Sequence, residues 1–240
     1  MMEDLKRRLV TSLPRELLLD LIDMATARAL AAHELIRDHT DLQGRSARGL
    51  EGQARFRLME KGFQDACEQH GGIALAGGLI PGTELRFFQP FMRFGGEKLG
   101  VVLGLASMPA RKEIPTKNQS RLAGVTMNYN ITPRLDLDGR DPKPGDVFVV
   151  FLVARDPTRA GKIDELAIGV IDSKYESYLL YEPVETLMAD YVADAMPPGP
   201  DGGLPDEGAP KKNLVKLKRT PKTYKPPENP DDAEKGDKSV

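Results

Sequence analysis

Seven apolar residues in succession, Val147-Phe148-Val149-Val150-Phe151-Leu152-Val153, restrict this chain more than any other feature. The run is of strand length, is rich in β-branched and aromatic side chains, and has no polar face to turn to water. It therefore reads as a strand buried on both faces and central in a sheet. Whatever else the chain does, it must cover that sheet on both sides. A loop from Pro157 to Lys162 follows, and then a second apolar segment from Leu166 to Tyr175. The two segments read as a hairpin whose turn centres near Ala160.

Upstream the periodicity is helical. Pro14 suits a first helical turn, where its missing N–H would be unpaired in any case. From there Leu17, Leu18, Leu21, Met24, Ala25, Ala29, Ala32, Leu35 and Ile36 recur at spacings of three and four, predicting a helix from about 14 to 38. A second helix is predicted from about 47 to 69, closed by His70-Gly71-Gly72. With a short connection between them, the two form an antiparallel hairpin. Beyond residue 72 the pattern is β-rich. Leu85 to Phe94 carries Pro90, which predicts an edge or bulged strand. Leu99 to Ala106 reads as a buried strand. Leu122 to Ile131 alternates and reads as a half-buried one, with Thr126, Asn128 and Asn130 on its polar face. Asp136 to Gly145 is turn chemistry, and a last helix runs from about 183 to 195. The expected fold is α+β: an N-terminal helical hairpin (within 1–71) packed on a mainly antiparallel sheet of five or six strands (within 72–196), with a short C-terminal helix, all in one domain.

Residues 197–240 differ in kind. Pro197-Pro198-Gly199-Pro200 and Pro226-Pro227 punctuate a stretch with few large apolar residues, and such composition predicts disorder. The net charge of −2 hides a local asymmetry there: Lys211, Lys212, Lys216, Lys218, Arg219, Lys222 and Lys225 stand together with no acidic residue, and an acidic stretch follows. The single cysteine, Cys67, excludes an intrachain disulfide, and no apolar run approaches the roughly 18–20 residues that span a bilayer. The charged start lacks the features of a signal peptide, so the expected location is a bacterial-type cytoplasm.

Asp172-Ser173-Lys174 matches a short (D/E)-x-K pattern, and the hairpin register places Asp146 across from Lys174. In these residues the chain resembles the metal-dependent nucleases of the PD-(D/E)xK fold. The resemblance implies that Asp146 and Asp172 hold Mg2+ while Lys174 helps activate water, with Glu60 as a further carboxylate. The residues alone equally describe a solvated strand end. No other metal or cofactor is expected. There is no Walker A loop, no G-x-S-x-G elbow and no zinc-ligand set.

A second group is electrostatic. The segment from Arg111 to Arg121 is long, polar and basic. Arg111, Lys112, Lys117 and Arg121 are candidate phosphate contacts, and Asn118, Gln119 and Ser120 are candidate hydrogen-bonders. In the tail, Lys211, Lys212, Lys216, Lys218 and Arg219 form a polybasic arm of the kind that binds nucleic acid by counterion release. Two functions follow as expectations. One is a non-enzymatic binding module that meets a partner protein, or a second copy through its helical hairpin, and DNA or RNA through its basic elements. The other is the Mg2+-dependent nuclease.

Overall fold

The computed structural model describes residues 2–96, 99–132 and 145–195. The expectations for 197–240, the five basic tail residues among them, and for most of the turn at 136–145 lie outside these. The described elements all belong to one compact unit.

The architecture is α+β. Three helices lead, α1 (Met2–Ser12), α2 (Arg15–His39) and α3 (Gly44–Gln69), followed by strands β1 (Ile73–Ala74), β2 (Phe91–Gly95) and β3 (Gly100–Met108). A short helix α4 (Gln119–Val125) and a 3-10 helix (Thr126–Ile131) come next. Then follow β4 (Val147–Arg155), β5 (Ile163–Ile171), β6 (Tyr178–Pro183) and helix α5 (Val184–Ala195). The six strands lie in sequence order in one sheet. Every neighbouring pair is antiparallel except β3 and β4, which run parallel. Among the described residues no helix is long and apolar enough to cross a membrane.

β4 is central and buried on both faces, as its composition requires. Its odd-numbered residues, Val147, Val149, Phe151 and Val153, join Val101, Leu103 and Leu105 of β3 beneath the helices. The apolar stripe of α2 (Leu17, Leu18, Leu21, Ala25, Ala29) is buried in this same layer, together with Leu5 and Leu9 of α1. The stripe of α2 is thus committed to the sheet. The even-numbered residues Phe148, Val150, Leu152 and Ala154 face a second core, closed by Ile80, Phe87, Ala123, Val125 and Tyr175 from loops and α4. A doubly covered sheet with one parallel pair is the physical answer to an uninterrupted apolar strand.

Two expectations are corrected. Leu122 to Ile131 is helical, not a strand. Asn118 caps α4 by accepting the Arg121 backbone N–H, and the short helix lies so close over β4 that a Cβ on Gly124 would stand 2.6 Å from the Phe148 ring. Covering the second face of β4 outweighs the local alternation. The segment 85–94 also differs: the strand starts only after Pro90, at Phe91, and is interior, between β1 and β3, not an edge.

Asn128, assigned by its alternation to a solvent face, is fully buried. The β4–β5 ladder ends at the Val150–Gly169 pair. Beyond it the Asn128 amide stands between the strands. Its NH2 donates to the carbonyls of Phe148 (2.9 Å) and Ile171 (2.8 Å), and its oxygen accepts from Phe148 N–H (2.8 Å). Only a side chain with two donors and an acceptor can do this, and aspartate cannot. Asn128→Ala leaves three buried backbone groups unpaired and is expected to lower stability by about 3 kcal/mol, with Asn128→Asp at least as costly. Urea midpoints at unchanged m-value check this, and a near-neutral Asn128→Asp would contradict it.

Candidate functional site

The acid residues singled out in the sequence are each engaged, and in different directions. Asp146 turns toward β3 and β2, away from β5. Its carboxylate accepts from Arg93 Nε (2.6 Å) and Nη2 (3.2 Å) and from Gly100 N–H (2.7 Å). The ion pair raises the Arg93 guanidinium pKa further above its ordinary value. Arg8 of α1 ties the same corner by donating to the carbonyls of Gly100 and Gly145. Asp172 instead caps the β5–β6 turn. It accepts from the backbone N–H groups of Lys174, Glu176 and Ser177 and from the Ser177 hydroxyl. Lys174 is exposed. Glu60 is held by Arg57 at 2.8 Å. Among the described residues no three His, Cys, Asp or Glu side chains gather where they could hold a metal ion. Asp146 and Asp172 are thus held by different partners, and beyond the Val150–Gly169 pair the Asn128 amide, not the ladder, joins β4 to β5.

The basic loop divides. Arg111 is in a two-pronged ion pair with Asp164 of β5 (2.7 Å on both oxygens). Arg121 is buried, and its guanidinium donates to the Thr116 carbonyl, bracing the loop from inside. Lys112 and Lys117 are exposed, and Lys117 lies 5.8 Å from the centre of the Tyr175 ring. Phe87 and Phe91 stack on each other within the second core. Cys67 is buried with its thiol pKa pushed up by desolvation.

The geometry exposes a site that no motif marked. The helix-facing rows of the two parallel strands change character at their C-terminal ends. On β3 the row Val101, Leu103, Leu105 continues to Ser107, and on β4 the row Val147, Val149, Phe151, Val153 continues to Arg155. Strand alternation puts both polar residues on the helical side of the sheet. There Arg55 of α3 comes down over them. Arg55, Ser107, Pro109, Thr116, Arg155 and Ile163 line a pocket of about 380 Å3. The carboxyl edge of parallel strands is a common ligand position in sheets covered by helices.

Two arginines make it positively charged, and Glu51 offsets part of that charge. Burial lowers the Arg55 guanidinium pKa, Glu51 partly offsets this, and nearby Arg155 lowers it further. The Glu51 contact is loose at 3.9 Å, because the other Glu51 oxygen is bound to His33 Nδ1 at 3.1 Å. Arg155 has no hydrogen-bond or ion-pair partner among the described residues, and the hydroxyls of Ser107 and Thr116 have none either. The β4–β5 loop closes against this wall at Gly161, whose positive φ of 68° and close approach to His33 exclude a side chain. Two guanidiniums, one of them in a long ion pair with Glu51, and two exposed hydroxyls thus surround one cavity. Guanidinium forks match carboxylate and phosphate oxygens. The alternation that ends in Ser107 and Arg155 was readable in the sequence, but the approach of Arg55 was not.

Burial pushes the Asp172 carboxyl pKa up, but the donors from Ser177, Glu176 and Lys174 outweigh it and hold the pKa below the ordinary value. Asp172→Asn is therefore expected to cost about 1–2 kcal/mol at neutral pH. A depressed folded-state pKa stabilises fully above about pH 4 and ceases to do so as pH falls through the folded value. Urea midpoints of wild type and variant should converge in acid, and a gap undiminished near pH 2 would contradict the assignment. No protein-family model, no curated protein and no solved structure matches the chain.

Proposed function

We propose that the protein is a non-enzymatic binding module that holds nucleic acid through its phosphates, at the Arg55–Arg155 pocket and its basic surroundings. The observation that carries the reading is the pair of guanidiniums converging on one cavity, one of them partly desolvated and the other without a partner among the described residues. Such a pair is electrostatically unfavourable until an anion enters between its members. Lys112 on the loop between Pro109 and Thr116, and Arg159 and Lys162 on the β4–β5 loop, are exposed, although Arg159 already donates to Asp156. In this reading Arg111 and Arg121 are positioning residues, which fix the loop that carries Thr116, and Lys112 and Lys117 remain available to phosphates. The basic residues Lys211, Lys212, Lys216, Lys218 and Arg219 add a sequence-independent contact. The nuclease alternative needs Asp146 and Asp172 on one cation, and no observation favours it.

Fluorescence anisotropy of the full chain with single-stranded DNA, single-stranded RNA and duplex DNA, over a salt series, tests the reading. Binding should weaken with salt. Arg155→Gln and the five-fold Lys/Arg→Gln change in the tail should each lower affinity and reduce the salt slope by about one unit per lost phosphate contact. Binding indifferent to salt and to both variants, or no binding to any of the three, would overturn it.

A further inference from the structure

Phe88 breaks the pattern of its neighbours. Phe87 and Phe91 are 7% and 1% exposed and belong to the second core, whereas Phe88 is 69% exposed. The ring does not stand on a loose segment. The Phe88 N–H donates to the hydroxyl of buried Ser120 at 2.8 Å, and the Phe87 N–H donates to the Gly78 carbonyl at 2.8 Å. The backbone is fixed on both residues and the ring is left in water. The same two segments carry further exposed apolar side chains. Leu85 and Leu122 line one cleft of about 370 Å3 with Arg86 and Gln119, and Leu79 is bridged to Arg86. Single exposed apolar residues are ordinary, but a group of them marks a contact surface.

The place of this surface in the fold narrows its partner, and the inference rests on reading the Arg55–Arg155 pocket as a phosphate site for nucleic acid. β2 and β3 are antiparallel with Phe91 opposite Gly104, so the chain before Phe91 runs beside the end of β3 that carries Ser107. Gln89 ties it to both walls of the pocket. Its Oε1 accepts from Asn118 Nδ2 at 3.2 Å, on the segment that carries Thr116, and its Nε2 donates to Glu60 at 3.5 Å, on the helix that carries Arg55. Phe88 and the pocket thus share one edge of the sheet. Charge does not define the Phe88 surface, because Glu84 offsets Arg86 along the segment. It offers a planar ring, apolar neighbours and the exposed amide of Gln119, which has no hydrogen-bond partner among the described residues. These are the means by which proteins hold an unpaired nucleobase: a face to stack on and a polar group for the base edge.

We propose that Phe88, with Leu85, Leu122 and Gln119 near it, is a base-stacking platform for a single strand of DNA or RNA whose phosphates lie at the Arg55–Arg155 pocket. A duplex, whose bases are stacked on one another, does not use it.

The test titrates three ligands of equal length into the full chain: a single strand, the same strand with abasic residues in place of its nucleotides, and the duplex. The abasic strand keeps every phosphate and lacks the bases. Phe88→Ala should weaken single-strand binding by about five- to hundredfold, the worth of one base–aromatic stack. It should leave the salt slope, and the affinities for the abasic strand and the duplex, unchanged. The chain has no tryptophan, so Phe88→Trp places a sole fluorophore of that kind at the platform. Its emission should be quenched by the single strand along the binding curve and not by the abasic strand. Wild-type affinity of Phe88→Ala for the single strand, equal losses for all three ligands, or unquenched Phe88→Trp at saturation overturns the platform while the phosphate reading stands. No binding of the wild type to any of the three overturns both. A wild-type dimer in sedimentation that Phe88→Ala dissociates assigns the surface to a second copy of the chain and overturns the platform.

Discussion

The two-sided burial of β4 is the constraint from which the rest of the structure follows. Phe148, Val149, Val150, Phe151 and Leu152 are without exposure, so neither face of the sheet can meet water. On one side the requirement is met by α1, α2, α3 and α5. On the other it is met by an irregular layer of loops, α4 and the 3-10 helix. That second layer has few regular backbone hydrogen bonds of its own, and it is anchored by single polar side chains. Asn128 binds it to β4 and β5, Asn118 caps α4, and the Ser120 hydroxyl accepts the Phe88 N–H. Buried polar groups with complete partners fix one arrangement of a core that apolar packing alone would leave less specified.

The same constraint generates the candidate site. Strand alternation delivers a helix-facing row from each of the two parallel strands, and both rows run out of the apolar layer at the same edge. Where the core ends, the next residues in the rows are Ser107 and Arg155, and α3 extends far enough to bring Arg55 over them. The loops that wall the cavity are held by contacts that do not use the cavity's own polar atoms: Arg111 on Asp164, Arg121 on the Thr116 carbonyl, and His33 on Glu51. The loops are thus fixed from outside while Ser107, Thr116 and Arg155 keep their donors exposed.

The architecture was largely legible in the sequence, and the reasons are physical. Helical periodicity bounded α2 and α3 to within a few residues, and the run from Val147 to Val153 gave both the centre of the sheet and its double cover. The hairpin of β4 and β5 formed where the turn chemistry placed it. What failed was local alternation from Leu122 to Ile131, because short capped helices and strands share that pattern and only the need to cover β4 decides between them. The carboxylates singled out in the sequence have separate partners, Asp146 in Arg93 and Asp172 in the β5–β6 turn. The hairpin register assumed an uninterrupted ladder, whereas beyond Val150–Gly169 the two strands are bridged by Asn128, a residue that reads as solvent-facing. The basic loop was visible as charge, but charge does not reveal that Arg111 is paired or that Arg121 is buried. Arg55 and Arg155 carry no motif, since they are a hundred residues apart and meet only through the packing of α3 on the sheet.

The arginine side chains themselves report most directly on the central claim that Arg55 and Arg155 share one anion. In a titration of the full, 15N-labelled chain with a short single-stranded oligonucleotide, their Nε–Hε resonances can be followed beside that of Arg111. The account predicts that the Arg55 and Arg155 signals move together along one saturating curve while Arg111, bound to Asp164, stays in place. Movement of all exposed arginines alike, or none at Arg55 and Arg155, would contradict it.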